Sequence, residues 1–193
     1  MQENSALRAA ARSQLYGTWL TAVGIVFIYG VLVSVASGLL GIGLLIVGGP
    51  LALGYYGYFL HKARGETVLF GNLFDGFDNF GKAFLLFLFE GIFIILWSLL
   101  FFIPGIIKSF SYSMAFFILK DNPNMNALDA ITASRKMMNG YKGKLFCLHL
   151  SFIGWYLLCV LTFGIGYLWL SPYVTLSVSN FYEDLKKNQT AAQ

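Results

Sequence analysis

The stretch from Trp19 to Leu60 contains no charged residue. About 20 apolar residues in helical conformation cross the hydrocarbon core of a bilayer, and this run is about twice that length. It predicts two membrane-spanning helices folded back on each other. Trp19 to about Ser37 goes across, Gly38 to Gly43 makes a tight return, and Leu44 to Leu60 comes back. The rest of the 193-residue chain carries the same pattern, with 58% hydrophobic and only 11% charged residues. A soluble domain needs about 25% charged residues to face water. The 19 Phe and 11 Tyr suit lipid contact and the bilayer boundary, where aromatic rings settle.

Taken in order, residues 4–16 read as an amphipathic helix lying on the membrane. Asn4 or Ser5 is placed to cap it, and Leu7, Ala11 and Leu15 fall on one face beside Arg8 and Arg12. The apolar stretch that follows these arginines far exceeds the 7–15 residues of a signal-peptide core, which argues against a cleaved leader. Pro50 falls inside the second span and predicts a kink. Residues 68–82 alternate Phe70, Phe74, Phe77 and Phe80 with Asn72, Asp75, Asp78, Asn79 and Lys82, a pattern suited to the headgroup layer. A second hairpin is predicted over Ala83–Ile103 and Gly105–Leu119, turning at Pro104-Gly105. Residues 126–141 form the clearest amphipathic helix, with Asn126 as cap and Leu128, Ile131, Met138 and Tyr141 as its apolar face. The third hairpin runs from Leu145 to Phe163, returns at Gly164-Ile165-Gly166, and continues from Tyr167 to about Phe181. Residues 184–193 read as a polar cytoplasmic tail.

One unit thus recurs three times, over about 4–61, 68–120 and 126–183 of a single integral-membrane domain. Each has a surface helix, a glycine lead-in, a first span, a glycine-containing return and a second span. The lead-ins are Tyr16-Gly17, Phe80-Gly81 and Lys142-Gly143. Lys and Arg gather in the N-terminal arm, the 60s loop, the 120–144 segment and the tail, which share one side if there are six spans. Lys108 is the one base near the opposite returns. By the positive-inside rule both termini are cytoplasmic. The net charge of +4 then reflects orientation and contact with anionic lipid at the cytoplasmic face; the sequence holds no nucleic-acid-binding motif.

Ionisable groups at membrane depth are functional candidates, because burying charge in lipid is expensive. Glu90 lies about two turns inside the third span, and His149 sits at a similar depth at the start of the fifth. Lys108 lies one turn inside the fourth span, where its stem can reach outward. Small residues recur at four-residue spacing in three ridges that permit close helix approach: Gly30, Ser34 and Gly38; Gly105, Ser109 and Ser113; and Ser171, Thr175 and Ser179. They suit a homo-oligomer or a membrane-protein partner. Asp75 and Asp78 lack the framework of a calcium loop and read as a solvated interface. Cys147 and Cys159, about 18 Å apart along one helix, read as packing residues, without metal-ligand spacing. Catalytic signatures such as G-x-S-x-G, H-E-x-x-H or a phosphate-cradling loop do not occur, and no cofactor or metal is expected.

The segment Asn122-Pro123-Asn124-Met125-Asn126-Ala127-Leu128-Asp129-Ala130-Ile131, with Ser134-Arg135-Lys136-Met137-Met138 and Gly140-Tyr141 after it, resembles the central signature of a bacterial integral-membrane family, domain of unknown function 975. The closing Trp169-Leu170-Ser171-Pro172-Tyr173 and the Ala-Arg-rich opening arm resemble it too. The resemblance implies the bacterial cytoplasmic (inner) membrane and supplies no activity, ligand or catalytic residue. The expectation is therefore an all-α membrane protein of six transmembrane helices in three hairpins, each preceded by an interfacial helix. Its expected role is non-enzymatic: scaffold, partner-binding or envelope homeostasis. The alternative is a small transporter, channel or exporter subunit using Glu90 and His149. That alternative gains if both face a hydrated cavity.

Overall fold

The computed structural model describes residues 1–38, 42–100 and 102–190. All regular structure among them is helical: α1 (Asn4–Leu15), α2 (Trp19–Gly38), α3 (Ile42–Ala63), a 3₁₀ helix (Phe70–Asn79), α4 (Phe80–Leu100), α5 (Phe102–Tyr112), α6 (Ala115–Asp121), α7 (Ala127–Met137), α8 (Lys142–Leu150), α9 (Ile153–Leu161) and α10 (Tyr167–Thr190). Trp19–Gly38, Ile42–Ala63, Phe70–Leu99 and Lys142–Leu161 are long and apolar enough to cross a membrane.

The core is apolar, but so is much of the outside, and several polar side chains lie within. Ser111, Ser134, Ser177, Ser179, Asn180 and Lys62 are buried, whereas Ile95, Leu99, Leu157, Val160 and Leu161 are exposed. An outward apolar surface of this extent suits lipid as its solvent. Helix α3 is the hub, packing against α2, the 3₁₀ helix, α4, α6 and α10. Its glycines make the close contacts. A Cβ on Gly54 would lie 1.8 Å from the Leu73 carbonyl oxygen, and one on Gly49 would lie 2.2 Å from that of Ala83. From the other side, a Cβ on Gly76 would lie 2.0 Å from the Pro50 oxygen. The 3₁₀ helix therefore beds into α3 and buries Leu73 and Gly76, where the aromatic pattern had suggested a segment resting in the headgroups. Phe70, Phe74 and Phe77 still face outward.

Other expectations shift. Pro50 lies within a helix that runs unbroken from Ile42 to Ala63. The first return falls partly on residues 39–41, outside the described residues. Helix α4 ends at Leu100 and α5 begins at Phe102. Pro104-Gly105 sits in the first turn of α5, where proline's missing N–H costs nothing. Between α9 and α10, at the predicted third return Gly164-Ile165-Gly166, Gly164 takes φ of 86°, and Phe163 before it 51°. The N-cap of α1 is Glu3 rather than Asn4 or Ser5; the Asn4 amide donates instead to the Lys144 carbonyl at 3.2 Å. Leu7, Ala11 and Leu15 are all buried, packed in the core. In α7, Asn126 precedes the first residue as expected but its amide reaches Asp129, and Leu128 faces outward while Ala127, Ala130 and Ile131 pack inward. Helix α10 continues to Thr190 through the expected tail, held by Gln2 N–H donating to Asp184 (2.8 Å).

Two arms expected as single helices are each broken in two, and each break is closed from outside. Between α5 and α6, the Ser134 hydroxyl of α7 donates to the Ser111 carbonyl (2.8 Å) and accepts from the Met114 N–H (3.2 Å). Between α8 and α9, Arg8 of α1 donates to the Ser151 carbonyl (3.3 Å) with its guanidinium 4.9 Å over the Phe152 ring. Freed backbone groups at membrane depth have no water to turn to, so neighbouring side chains must satisfy them.

Candidate functional site

Helices α2, α3, α4, α8, α9 and α10 each send a polar or aromatic side chain toward one interior space. A cavity of about 480 Å³ is lined by Glu90, His149, Tyr29, Tyr56, Tyr156 and Tyr167, among others. Volumes of this order hold small molecules in other proteins. Glu90 Oε2 is shielded from the surface and has no hydrogen-bond partner among the described residues. An unsatisfied carboxyl oxygen in such a place costs free energy and marks a site where something else supplies the partner. The His149 ring faces the same cavity and meets Phe110 edge-on, centroids 5.9 Å apart. Among the described residues no hydrogen bond joins His149 to Glu90; they share a space rather than a bond.

A second cavity of about 430 Å³ shares Tyr29, Tyr56, Tyr167 and Thr175 with the first. Gly30 and Ser34 border it. These two and Gly38 are exposed, and nothing lies within 4 Å of where a Cβ on Gly30 or Gly38 would stand. Among the described residues, then, nothing packs against Gly30 or Gly38, and the smallness of the ridge leaves an opening beside α2. The ridge of α10 is used differently. The Tyr55 hydroxyl pairs with Ser171 Oγ at 2.9 Å and Thr175 Oγ1 at 3.1 Å, and Tyr55 stacks on Tyr29 with centroids 4.4 Å apart. Ser179 is buried and donates to the Thr175 carbonyl. Of the remaining ridge, Gly105 packs against Ser98 of α4, Ser109 bonds its own helix, and Ser113 lines the larger cavity. Lys108 stands apart, its ammonium 4.2 Å over the Trp97 ring, an attraction between cation and π-face. Asp75 accepts from Asn72 (3.0 Å) and Lys120 (3.4 Å).

The ends of α3, α6 and α10 meet in a charge knot. Arg64 donates to both Asp121 carboxylate oxygens (2.7 and 2.8 Å) and to Glu183 (2.8 Å). Lys186 and the Tyr182 hydroxyl also donate to Asp121, at 2.7 and 2.9 Å. Burial pushes the Asp121 carboxyl upward, but the hydrogen bonds from Lys186, Arg64 and Tyr182 outweigh it and hold the group below the usual carboxylate range. For Arg64, burial works against the charge, and Asp121 and Glu183 more than restore it.

The cavity tyrosines and this knot escaped the sequence reading. Aromatic residues were assigned to lipid contact as a group. The usable signal was Tyr55-Tyr56 in mid-span, where phenylalanine would need no partner and tyrosine does. For the knot it was the charge at the end of each second arm.

Among the described residues the fold is all-helical, with four helices long and apolar enough to cross a membrane, and it holds a largely aromatic and apolar cavity that Glu90 and His149 line. Residues 99–189 match the family model of a protein of unknown function, DUF975. This is the family that the sequence resembles, and the segments 122–141 and 169–173 lie inside the match. No curated protein and no solved structure matches the chain.

Proposed function

We propose that this chain is a six-span protein of the bacterial cytoplasmic membrane, both termini cytoplasmic, that takes a small solute into the cavity at Glu90. The observation that carries this is the unpartnered Glu90 oxygen, facing a space of about 480 Å³ together with His149. A transporter, channel or exporter subunit needs such a space, and no catalytic step is assigned to it.

Two further considerations support six spans rather than four. Helix α10 is long enough, about 36 Å at 1.5 Å per residue. It is polar because its Ser177, Ser179 and Asn180 face protein, which screens them from lipid. Helices α5 and α6 together cover 102–121, closed at their break by Ser134. The threefold repeat draws support from the packing, which is cyclic. Helix α3 contacts the 3₁₀ helix and α4 of the second unit, α5 and α6 contact α7, α5 also contacts α8, and α10 contacts α1 and α2 of the first unit. Pro50 stands nine residues before the buried Phe59, as Pro172 does before the buried Phe181. Exposed Arg135 and Lys136 supply contact with anionic lipid on the cytoplasmic face.

A second reading, scaffold or partner-binding protein, draws on the exposed Gly30/Ser34/Gly38 ridge, which suits a second copy or another membrane helix.

The solute reading is tested by thiol labelling in a cysteine-free background. Gly91 lines the cavity and has open space where a Cβ would go, so Gly91→Cys is tolerated. It is expected to react with a small charged thiol reagent in folded protein, whereas Leu86→Cys, fully buried, does not. Equal protection of the two thiols contradicts a water-filled cavity.

A further inference from the structure

The composition of the cavity wall points to the class of solute. Glu90 is its one acidic group, and no Lys or Arg lines it among the described residues. Tyr29, Tyr56, Tyr156 and Tyr167 stand round it, with Phe87 and Phe116 completing an aromatic wall. Tyr56 is held in place by stacking on Phe116, centroids 5.6 Å apart, and by an edge contact with Phe117 at 5.1 Å. Aromatic faces carry negative potential and attract cations, most strongly where water is excluded. Glu90, with a carboxyl oxygen that has no donor, is the one acidic group on the wall among the described residues, and a cation beside it favours its ionised form where an anion would oppose it. The wall offers no cluster of oxygens for a bare metal ion, which needs about six. The adjoining cavity opens to the outside of the bundle beside Gly30, Ser34 and the exposed Phe27. In a bilayer that opening faces lipid.

We propose that the cavity binds a lipophilic organic cation, a quaternary ammonium or phosphonium, which reaches Glu90 laterally from the bilayer past Gly30 and Ser34. The proposal rests on the solute-binding reading above and narrows it. Glu90 supplies the counter-charge and the tyrosines supply the shape and the π-faces. The gap at Gly30 and Ser34 is the way in, because both residues are small and exposed.

The test is equilibrium dialysis of tetraphenylphosphonium against the purified full chain in detergent. Saturable binding is expected in the native protein, with uncharged triphenylphosphine oxide failing to compete. Glu90→Gln is expected to weaken binding about tenfold or more, since it removes the only full negative charge. Tyr56→Phe keeps the π-face and is expected to bind as the native chain does; Tyr56→Leu removes it and weakens binding several-fold. Absence of binding to native protein, equal competition by the neutral compound, or undiminished binding in folded Glu90→Gln overturns the proposal. If Glu90→Gln does not fold, the Tyr56 pair and the neutral competitor decide alone. A reactive Gly91→Cys without cation binding discards the ligand class and keeps the cavity; an unreactive one discards both.

Discussion

Gly54→Ala is expected to abolish the folded protein. The added methyl would stand 1.8 Å from the Leu73 carbonyl oxygen, about half a normal contact. The obstacle is backbone, so no rotamer change relieves it. Relief requires lifting the whole 3₁₀ helix off α3, and Gly76 is held against Pro50 on the same seam by an approach that would put a Cβ 2.0 Å from its oxygen. Leu73, fully buried, would lose its packing in the same movement. Overpacking a core costs about 1–3 kcal/mol when side chains can yield; here the cost is about 3 kcal/mol or more, a large share of the stability of a small domain. Gly91→Ala is the matched control, because nothing lies within 4 Å of its Cβ and alanine is the better helix former by about 1 kcal/mol. Thermal unfolding in detergent should show Gly54→Ala unfolded or far below the native midpoint, and Gly91→Ala at or above it. Equal midpoints would mean that the seam is not packed as described.

Asp121→Asn has the next largest expected effect. Its carboxylate accepts from Arg64, Lys186 and Tyr182, joining the ends of α3, α6 and α10. The amide cannot accept all of these bonds and removes the negative charge that Arg64 shares between Asp121 and Glu183. The expected loss is about 2–4 kcal/mol, reduced from that of a fully buried pair because Arg64 and Lys186 keep some solvent. The pH dependence follows from the direction of the shift. The folded-state value of Asp121 lies below its ordinary one. Its contribution is therefore fully present above about pH 4, where the unfolded chain also ionises, and is lost as pH falls through the lower folded-state value. The gap in stability between native protein and Asp121→Asn should stay constant from neutrality to about pH 4 and narrow below it. A gap that narrows between pH 7 and 5 would assign the stability to another group.

Much of the fold was legible because lipid imposes few solutions. The charge-free run after Trp19 and the four-residue spacing of Leu7, Ala11 and Leu15 each state one constraint, and the structure meets both. The breaks at 113–114 and 151–152 were not legible. Both fall in apolar sequence without a breaking proline, and both depend on distant side chains, Ser134 and Arg8, to accept the cost. The same holds for the tight seams: the ridge Gly30/Ser34/Gly38 has the spacing for close packing, yet the seam with the 3₁₀ helix and α4 is made by Gly49, Gly54 and Gly76, outside any predicted ridge. Which ridge meets a backbone is decided by the crossing of helices far apart in sequence. Glu90 and His149 could be ranked by depth alone; their common cavity emerges only when α4, α8 and α10 are assembled.

The proposed topology crosses the bilayer six times, with every base except Lys108 gathered on one side. Single cysteines at Thr67, Lys136 and Ile165, all exposed, in a cysteine-free background report this directly through labelling of intact cells with a membrane-impermeant thiol reagent. The account predicts that Ile165→Cys labels from outside, while Thr67→Cys and Lys136→Cys label only after the membrane is opened. Thr67→Cys and Lys136→Cys found on opposite sides would contradict it.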